Sequence, residues 1–119
     1  MADEAVTIAQ LKHAVQAFVD ERDWGQFHKP KNLAMSLAIE AAELMEHFQW
    51  LDVDESVERG RDPVRRGEIA EEMADVACYL LSLANALGID LSAAILEKLV
   101  KNAAKYPAEE FHGRSERRM

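Results

Sequence analysis

The sequence predicts an all-α fold, and three features of its composition support this prediction. Alanine and leucine, both strong helix formers, contribute 19 and 12 of the 119 residues. Valine, isoleucine and threonine, which favour strands, contribute only 14 residues together. There are only five glycines and three prolines to interrupt the helices. A β-sandwich is therefore excluded, and a length below about 150 residues indicates one domain.

Four helices are predicted from the spacing of apolar residues and from residues that cap helix ends. Thr7 and Gln10 fit a capping box, Asp90 fits an N-terminal cap, and Gly88 fits a C-terminal cap. Apolar residues recur at helical spacing between these signals. The predicted helices are Thr7 to Glu21, Lys31 to Leu51, Glu68 to Leu87, and Leu91 to Lys105.

The connections between these helices complete the predicted architecture. The charged segment 52–67 reads as a surface connection, and the polar segment 108–119 reads as a mobile tail after a single domain at 1–107. The two long helices are expected to lie antiparallel. A bundle of three or four helices of this size exposes much apolar surface. We therefore expect it to be completed by homo-oligomerisation.

Charge and composition exclude several classes of function. A net charge of −8 disfavours nucleic-acid binding, unless the tail arginines Arg114, Arg117 and Arg118 act locally. No apolar run approaches the roughly 20 residues of a membrane-spanning helix, and the N-terminal segment shows no signal region. A single cysteine, Cys78, allows no internal disulfide. The expected location is the cytoplasm.

Two pairs of carboxylates lie at the edge of the apolar stripes of successive predicted helices. Glu40 falls within a stripe, Glu43 lies one turn further, and Glu72 and Asp75 repeat the arrangement on the next helix. Buried carboxylates repel one another unless they are paired, and few basic residues share these faces. Mg²⁺ prefers such oxygen ligands, so a magnesium site is one interpretation. The other is a pair of solvated helix faces, because the E-x-x-E spacing is common.

Iron is a poorer fit to this pattern. A di-iron helical bundle places Glu-x-x-His motifs on facing helices. The only such spacing here joins Glu109 to His112 in the predicted tail.

Two further groups of residues suggest a ligand, and each has an ordinary structural alternative. Lysines gather at the end of the fourth helix, where they either hold phosphates or complement the helix dipole. Aromatic groups near helix ends either stack on a nucleobase or close the ends of the bundle. The first group is Lys98, Lys101, Asn102 and Lys105, before Tyr106, and the second is Trp24, Phe27, His28 and Trp50.

An ordered series of segments over residues 8 to 107 resembles a known family, the MazG-type nucleotide pyrophosphohydrolases. Within that family the pattern is most similar to the dCTP pyrophosphatase branch. The segments are Glu21 to Trp24, Gln26 to His28, Pro30, Asn32 and Leu33, Glu40 to Leu44, Phe48 to Trp50, Glu71 to Val76, Tyr79 and Leu80, Asp90 and Leu91, and Lys98 through Asn102 to Tyr106 and Pro107.

The resemblance implies an all-α enzyme that cleaves a nucleoside triphosphate between its α- and β-phosphates. It implies a requirement for Mg²⁺, with Mn²⁺ as a possible substitute, and assembly as a homodimer or a dimer of dimers. It assigns the metal to Glu40, Glu43, Glu72 and Asp75. Our hypothesis for the mechanism is that Glu43 or Glu72 takes the proton of the attacking water. The implied phosphate or sugar contacts are Lys98, Lys101, Asn102, Lys105 and Tyr106, and the implied base and deoxyribose pocket is Trp24, His28, Trp50 and Tyr79.

One departure from the family pattern leaves the substrate open. Some members of this branch carry a histidine on the first helix where this chain has Val15. The same fold also serves dUTP-type hydrolases, broad house-cleaning pyrophosphatases and phosphoribosyl-ATP pyrophosphohydrolases. Outside enzymes, the alternative is a non-catalytic helical oligomerisation module.

Overall fold

The structure, a computed structural model, describes residues 1–116 and is all-helical over them, which confirms the predicted fold class. Helices account for 78% of the described residues, which contain no strand. The helices are α1 Ala2–Ala5, α2 Ile8–Glu21, a short 3₁₀ helix Trp24–Gln26, α3 Pro30–Glu46, α4 Val53–Arg61, α5 Pro63–Leu87, α6 Leu91–Lys105 and α7 Ala108–Phe111.

Side chains cap the helix ends where the sequence predicts them. The Thr7 hydroxyl accepts a hydrogen bond from the Gln10 amide, and the Gln10 side chain accepts from the Thr7 amide, which completes the capping box. The Asp90 carboxylate accepts from the Ala93 amide at the start of α6. Gly88 ends α5 in the left-handed conformation, with φ of +65°, which favours glycine.

The segment 52–67 is mostly exposed, as predicted, but the expectation that it merely connects two helices is wrong, because most of it is itself helical. Asp52 and Glu55 form a second capping box that starts α4, and the Asp62 carboxylate accepts from the first amides of α5. Helix α5 therefore begins at Pro63 rather than Glu68, with proline at a position where its missing amide costs nothing. The predicted helix Lys31 to Leu51 ends earlier, at Glu46, in a series of turns.

Helices α3 and α5 form the main packing interface of a compact unit, Met1–Gly88, and both α2 and α4 pack on α5. Its most buried side chain is Leu33 of α3, which is 2% exposed. Several large apolar side chains of α5 are half-exposed, among them Met73 and Leu87. The buried core of this unit is small: Val19, Leu33, Ile69, Leu81, Ser82 and Ala84.

A second compact unit begins at Ile89 and contains α6 and α7. The first four residues of the predicted tail form α7, and the Phe111 ring meets the Tyr106 ring edge-on at 5.1 Å. Of the tail arginines, Arg114 is described, whereas Arg117 and Arg118 lie outside the described residues. The domain boundary at residue 107 stays a prediction.

No single helix among residues 1–116 has the length and apolar character needed to cross a membrane. Only α5 and α6, taken together across the break between them, satisfy those two criteria.

Candidate functional site

Three of the four predicted metal ligands come together at the interface of α3 and α5. Glu40 and Glu43 lie one turn apart on α3, and Glu72 lies on α5. One carboxylate oxygen from each of the three lies within 4.8 Å of the others. We call these three residues the carboxylate cluster. Its geometry follows from the tight packing of two helices that each place an acidic residue at the edge of an apolar face.

Two oxygens of the cluster are buried and have no hydrogen-bond partner, which is costly for a polar atom. They are the Oε2 atoms of Glu40 and Glu72. Glu40 is partly buried, although its neighbours on the same helix reach solvent. Buried acceptors without a donor indicate that a cation belongs between these side chains, because no described basic side chain forms an ion pair with them.

Burial and crowding of negative charge raise the pKa values of both partly buried members. The pKa of Glu40 rises to about 7, mainly through burial, and further through hydrogen bonding with Glu43 and the charges of Glu43, Asp75 and Glu72. The pKa of Glu72 is raised by burial first, and then by the charge of Glu43. Perturbed carboxyl groups of this kind concentrate at functional sites.

Asp75, the fourth predicted ligand, lies beside the cluster rather than within it. It is exposed, and it does not join the three oxygens that lie within 4.8 Å of one another. Its charge nevertheless contributes to the raised pKa values of Glu40 and Glu72. It is therefore close enough to act on a cation held by the other three.

The donor set of the cluster fits Mg²⁺. All of the ligand atoms are carboxylate oxygens, which a small, hard cation prefers, and an exposed member leaves room for water and phosphate oxygens. Neither histidine nor cysteine takes part in this cluster, so the softer donors that favour zinc are lacking there.

An aromatic cluster lies where α2 ends and the 3₁₀ helix begins. The Trp24 and His28 rings stack at 6.4 Å and 25°, and the Phe18 ring meets Trp24 edge-on at 5.7 Å. The Arg22 guanidinium lies over the Phe18 ring, 3.8 Å from its centroid. The Nδ1 atom of His28 is buried without a hydrogen-bond partner. A flat ligand that carries hydrogen-bonding groups suits this cluster.

Local hydrogen bonds fix the loop that holds these rings. Asp23 adopts the left-handed conformation at φ of +52°, which turns the chain sharply before Trp24. The Gln26 side-chain amide donates to the Asp23 carbonyl, and the Asn32 side-chain amide donates to the Phe27 carbonyl. The loop is therefore tied both to itself and to the first turn of α3.

The other two predicted base-pocket residues, Trp50 and Tyr79, make no ring contact with Trp24 or His28. Trp50 is 87% exposed, in the turns that follow α3. Tyr79 is partly buried on α5, nearly two turns beyond Glu72. Neither residue has a ring contact among the described residues.

The predicted phosphate contacts belong to the second unit. Lys98, Lys101 and Lys105 are exposed on α6, and Asn102 is partly buried. The Lys105 ammonium lies 5.5 Å from the centroid of the Tyr106 ring. The four polar residues at positions 98, 101, 102 and 105 recur at helical spacing and so lie on one side of α6.

Sequence reasoning missed Phe18 and Arg22 as neighbours of the base-pocket candidates. Phe18 lies at helical spacing from the other apolar residues of the first helix, but it is 48% exposed and its ring packs edge-on against Trp24. Its spacing of four residues from Arg22, on one helix face, was the available signal for this contact.

Comparison with known proteins agrees with this geometry. The profile of the MazG-like family matches residues 35–118, a range that contains the whole carboxylate cluster. The chain is 40% identical over 102 residues to dCTP pyrophosphatase 1 of Homo sapiens, covering 86% of this chain and 60% of that protein. It is 36% identical over 107 residues to dCTP pyrophosphatase 1 of Rattus norvegicus, covering 90% and 63%.

The chain thus spans about three fifths of the length of these curated relatives. A solved structure extends the likeness to nearly a whole chain: a pyrophosphatase of Archaeoglobus fulgidus DSM 4304 is 44% identical, with a TM-score of 0.78. That match covers 83% of this chain and 91% of the archaeal one. By its profile, its sequence relatives and its fold, the chain belongs to the MazG-like family.

Proposed function

We propose that the chain is a Mg²⁺-dependent nucleoside triphosphate pyrophosphohydrolase that converts dCTP to dCMP and pyrophosphate. The observation that carries the proposal is the carboxylate cluster, with three ligand oxygens within 4.8 Å and two of its oxygens buried without partners. The relatives named as dCTP pyrophosphatases, at 36–40% identity, support dCTP as the substrate.

Glu40, Glu43 and Glu72 would hold the metal, with Asp75 adding its charge nearby. A bound Mg²⁺ would neutralise phosphate charge and lower the pKa of a coordinated water. The remaining task of the chain is positioning, which supplies most of the rate in phosphoryl-group chemistry. Glu43 or Glu72 would accept the proton as water attacks the α-phosphorus in line with the departing pyrophosphate.

The aromatic cluster of Phe18, Trp24 and His28 is the proposed binding site for the nucleobase. The stacked Trp24 and His28 rings offer a face for a nucleobase, and the buried Nδ1 of His28 offers a polar atom for its edge. We assign Trp50 and Tyr79 to the same pocket, and Lys98, Lys101, Asn102, Lys105 and Tyr106 to phosphate and sugar contacts, from the family resemblance.

Self-association belongs to the same proposal. Large apolar side chains remain half-exposed on both helices that carry the carboxylate cluster, as on Met35, Ile39 and Met73. Exposed apolar side chains that are grouped on a surface mark protein interfaces, and a second copy of the chain is the expected partner. Nucleic acid and membranes are not expected partners, and the cytoplasm is the expected location.

Pyrophosphate release with each of the common NTPs and dNTPs, with Mg²⁺ and with a chelator, tests the proposal. Release from dCTP that the chelator abolishes supports it. Release from another triphosphate keeps the reaction and reassigns the substrate, with Val15 as the first residue to examine. Folded protein that releases nothing from any of them would leave the non-catalytic oligomerisation module.

A further inference from the structure

Helix α3 ends in a turn whose charges oppose its own dipole. Glu43 and Glu46 lie in this last turn, and none of its residues is basic. The C-terminal end of a helix carries a partial negative charge and leaves its last carbonyls without helical partners. An acidic last turn is therefore prone to fray, and Glu43 is the cluster member that fraying would displace.

Arg59 supplies the missing cation from a different helix. Its Nη1 donates a hydrogen bond to the carbonyl of His47, the residue that caps α3, at 3.2 Å and twelve positions away in sequence. In the same turns, backbone amides reach the carbonyls of Leu44 and Met45. Arg59 makes no ion pair among residues 1–116, so its charge is not neutralised by a carboxylate there.

The helix that carries Arg59 is itself fixed to α5. Helix α4 begins with the Asp52 capping box and packs on α5. The Arg66 guanidinium, in the first turn of α5, donates to the Gly60 carbonyl of α4 at 3.2 Å. Arg59 thus connects the end of α3, near Glu43, to α4. Helix α4 is in turn packed on α5, the helix that carries Glu72.

We propose that Arg59 is a positioning residue for the carboxylate cluster. It stabilises the last turn of α3 against fraying. In this way it keeps the Glu43 carboxylate within reach of Glu40 and Glu72. Among the described residues, Arg59 makes no hydrogen bond or ion pair with the cluster itself, so its effect on the cluster is indirect. The inference rests on the proposed function, because it describes how that site is kept assembled.

The test compares R59Q with R61Q in the full chain. Arg61 lies on the same helix and carries the same charge, but its side chain is 70% exposed and pairs only with Glu58. For each variant, Mg²⁺ binding is measured by calorimetry without nucleotide, and hydrogen exchange is measured for amides 43–51. Amides 81–84, at the buried end of α5, serve as the internal reference.

We expect R59Q to weaken Mg²⁺ binding about fivefold and to speed exchange at 43–51 by about the same factor, as loss of a charge at a helix end should. R61Q should stay within about twofold of the wild type, since an exposed ion pair contributes little. R59K, which keeps the charge and one donor, should recover most of the binding. If R59Q is too unstable to purify, R59M is used in its place, because methionine keeps the apolar stem of the side chain.

Equal Mg²⁺ affinity in R59Q and R61Q would overturn the inference, even if R59Q melts at a lower temperature, because Arg59 would then be structural only. This result leaves the proposed function intact, since the wild type still binds Mg²⁺ and hydrolyses nucleotide. A wild-type chain that does neither overturns the proposed function, and the inference with it.

Discussion

Replacing Glu43 with glutamine separates the catalytic role of the carboxylate cluster from its effect on stability. Glutamine keeps the size of the side chain and removes one negative charge. Glu43 is exposed, so the substitution should change folding stability by no more than about 0.5 kcal/mol. Its charge raises the pKa values of both Glu40 and Glu72, so without metal its removal relieves repulsion. We therefore expect an unchanged or slightly higher melting temperature in a chelator.

The same substitution should strongly weaken metal binding and turnover. One of the three oxygens that converge within 4.8 Å is lost as a charged ligand. A hydrogen bond to a charged group is worth about 1.5–3 kcal/mol, and a lost charged ligand should cost at least as much, or about 100-fold in Mg²⁺ affinity. If the substitution also weakens stabilisation of the transition state by a further factor of about ten, kcat/KM falls about 1,000-fold. This loss corresponds to about 4 kcal/mol.

The assay measures pyrophosphate release together with melting curves with and without Mg²⁺. A wild-type chain at 100 times the Mg²⁺ dissociation constant gains about 2.7 kcal/mol, which raises the melting temperature by about 10 °C. E43Q should show little turnover and little of this rise. The matched control is E46Q, which removes an exposed charge from the same last turn of α3 outside the cluster. Near wild-type activity in E43Q would refute this account of the cluster.

Three further predictions follow from the same geometry. Because burial raises the folded-state pKa of Glu40 to about 7, its contribution to the stability of metal-free protein is full below about pH 4.5 and is lost as pH rises towards 7. The pKa of Glu72 is raised as well, so its contribution has the same sign. Mg²⁺ should reverse this trend, and melting curves at pH 4.5 and above pH 7 would show it. Leu33→Ala should lower the free energy of unfolding by about 3 kcal/mol, since Leu33 is 2% exposed, and a urea titration with a loss below about 1 kcal/mol would contradict its core role. Trp24→Ala should raise KM about tenfold with kcat nearly unchanged if the indole stacks on the base, whereas steady-state kinetics with an unchanged KM would remove Trp24 from the pocket.

The sequence predicts the helices with clear caps and misses those in the charged segment. Thr7, Gly88 and Asp90 mark their helix ends correctly, because capping is a local interaction that sequence spacing determines. Helix α4 was missed because Gly60 and Pro63 read as helix breakers. In the structure Pro63 is the first residue of α5, where proline is tolerated.

For the candidate site too, the sequence predicts features that depend on one helix and misses those that depend on how helices pack together. The helical positions of Glu40, Glu43 and Glu72 predict a shared acidic face, and the structure brings one oxygen from each together. Their separation from Asp75, and the contact of Arg59 with the end of α3, depend on how whole helices pack. No periodicity within one helix contains that information.

Identifying which phosphate bond of dCTP is cleaved tests the central claim most directly. Wild-type protein would be incubated with dCTP and Mg²⁺, and the nucleotide and phosphate products would be separated and quantified. Equal amounts of dCMP and pyrophosphate, absent when a chelator is added and absent in E43Q, are the result this account predicts. Formation of dCDP and phosphate, or pyrophosphate release that persists in E43Q, would contradict it.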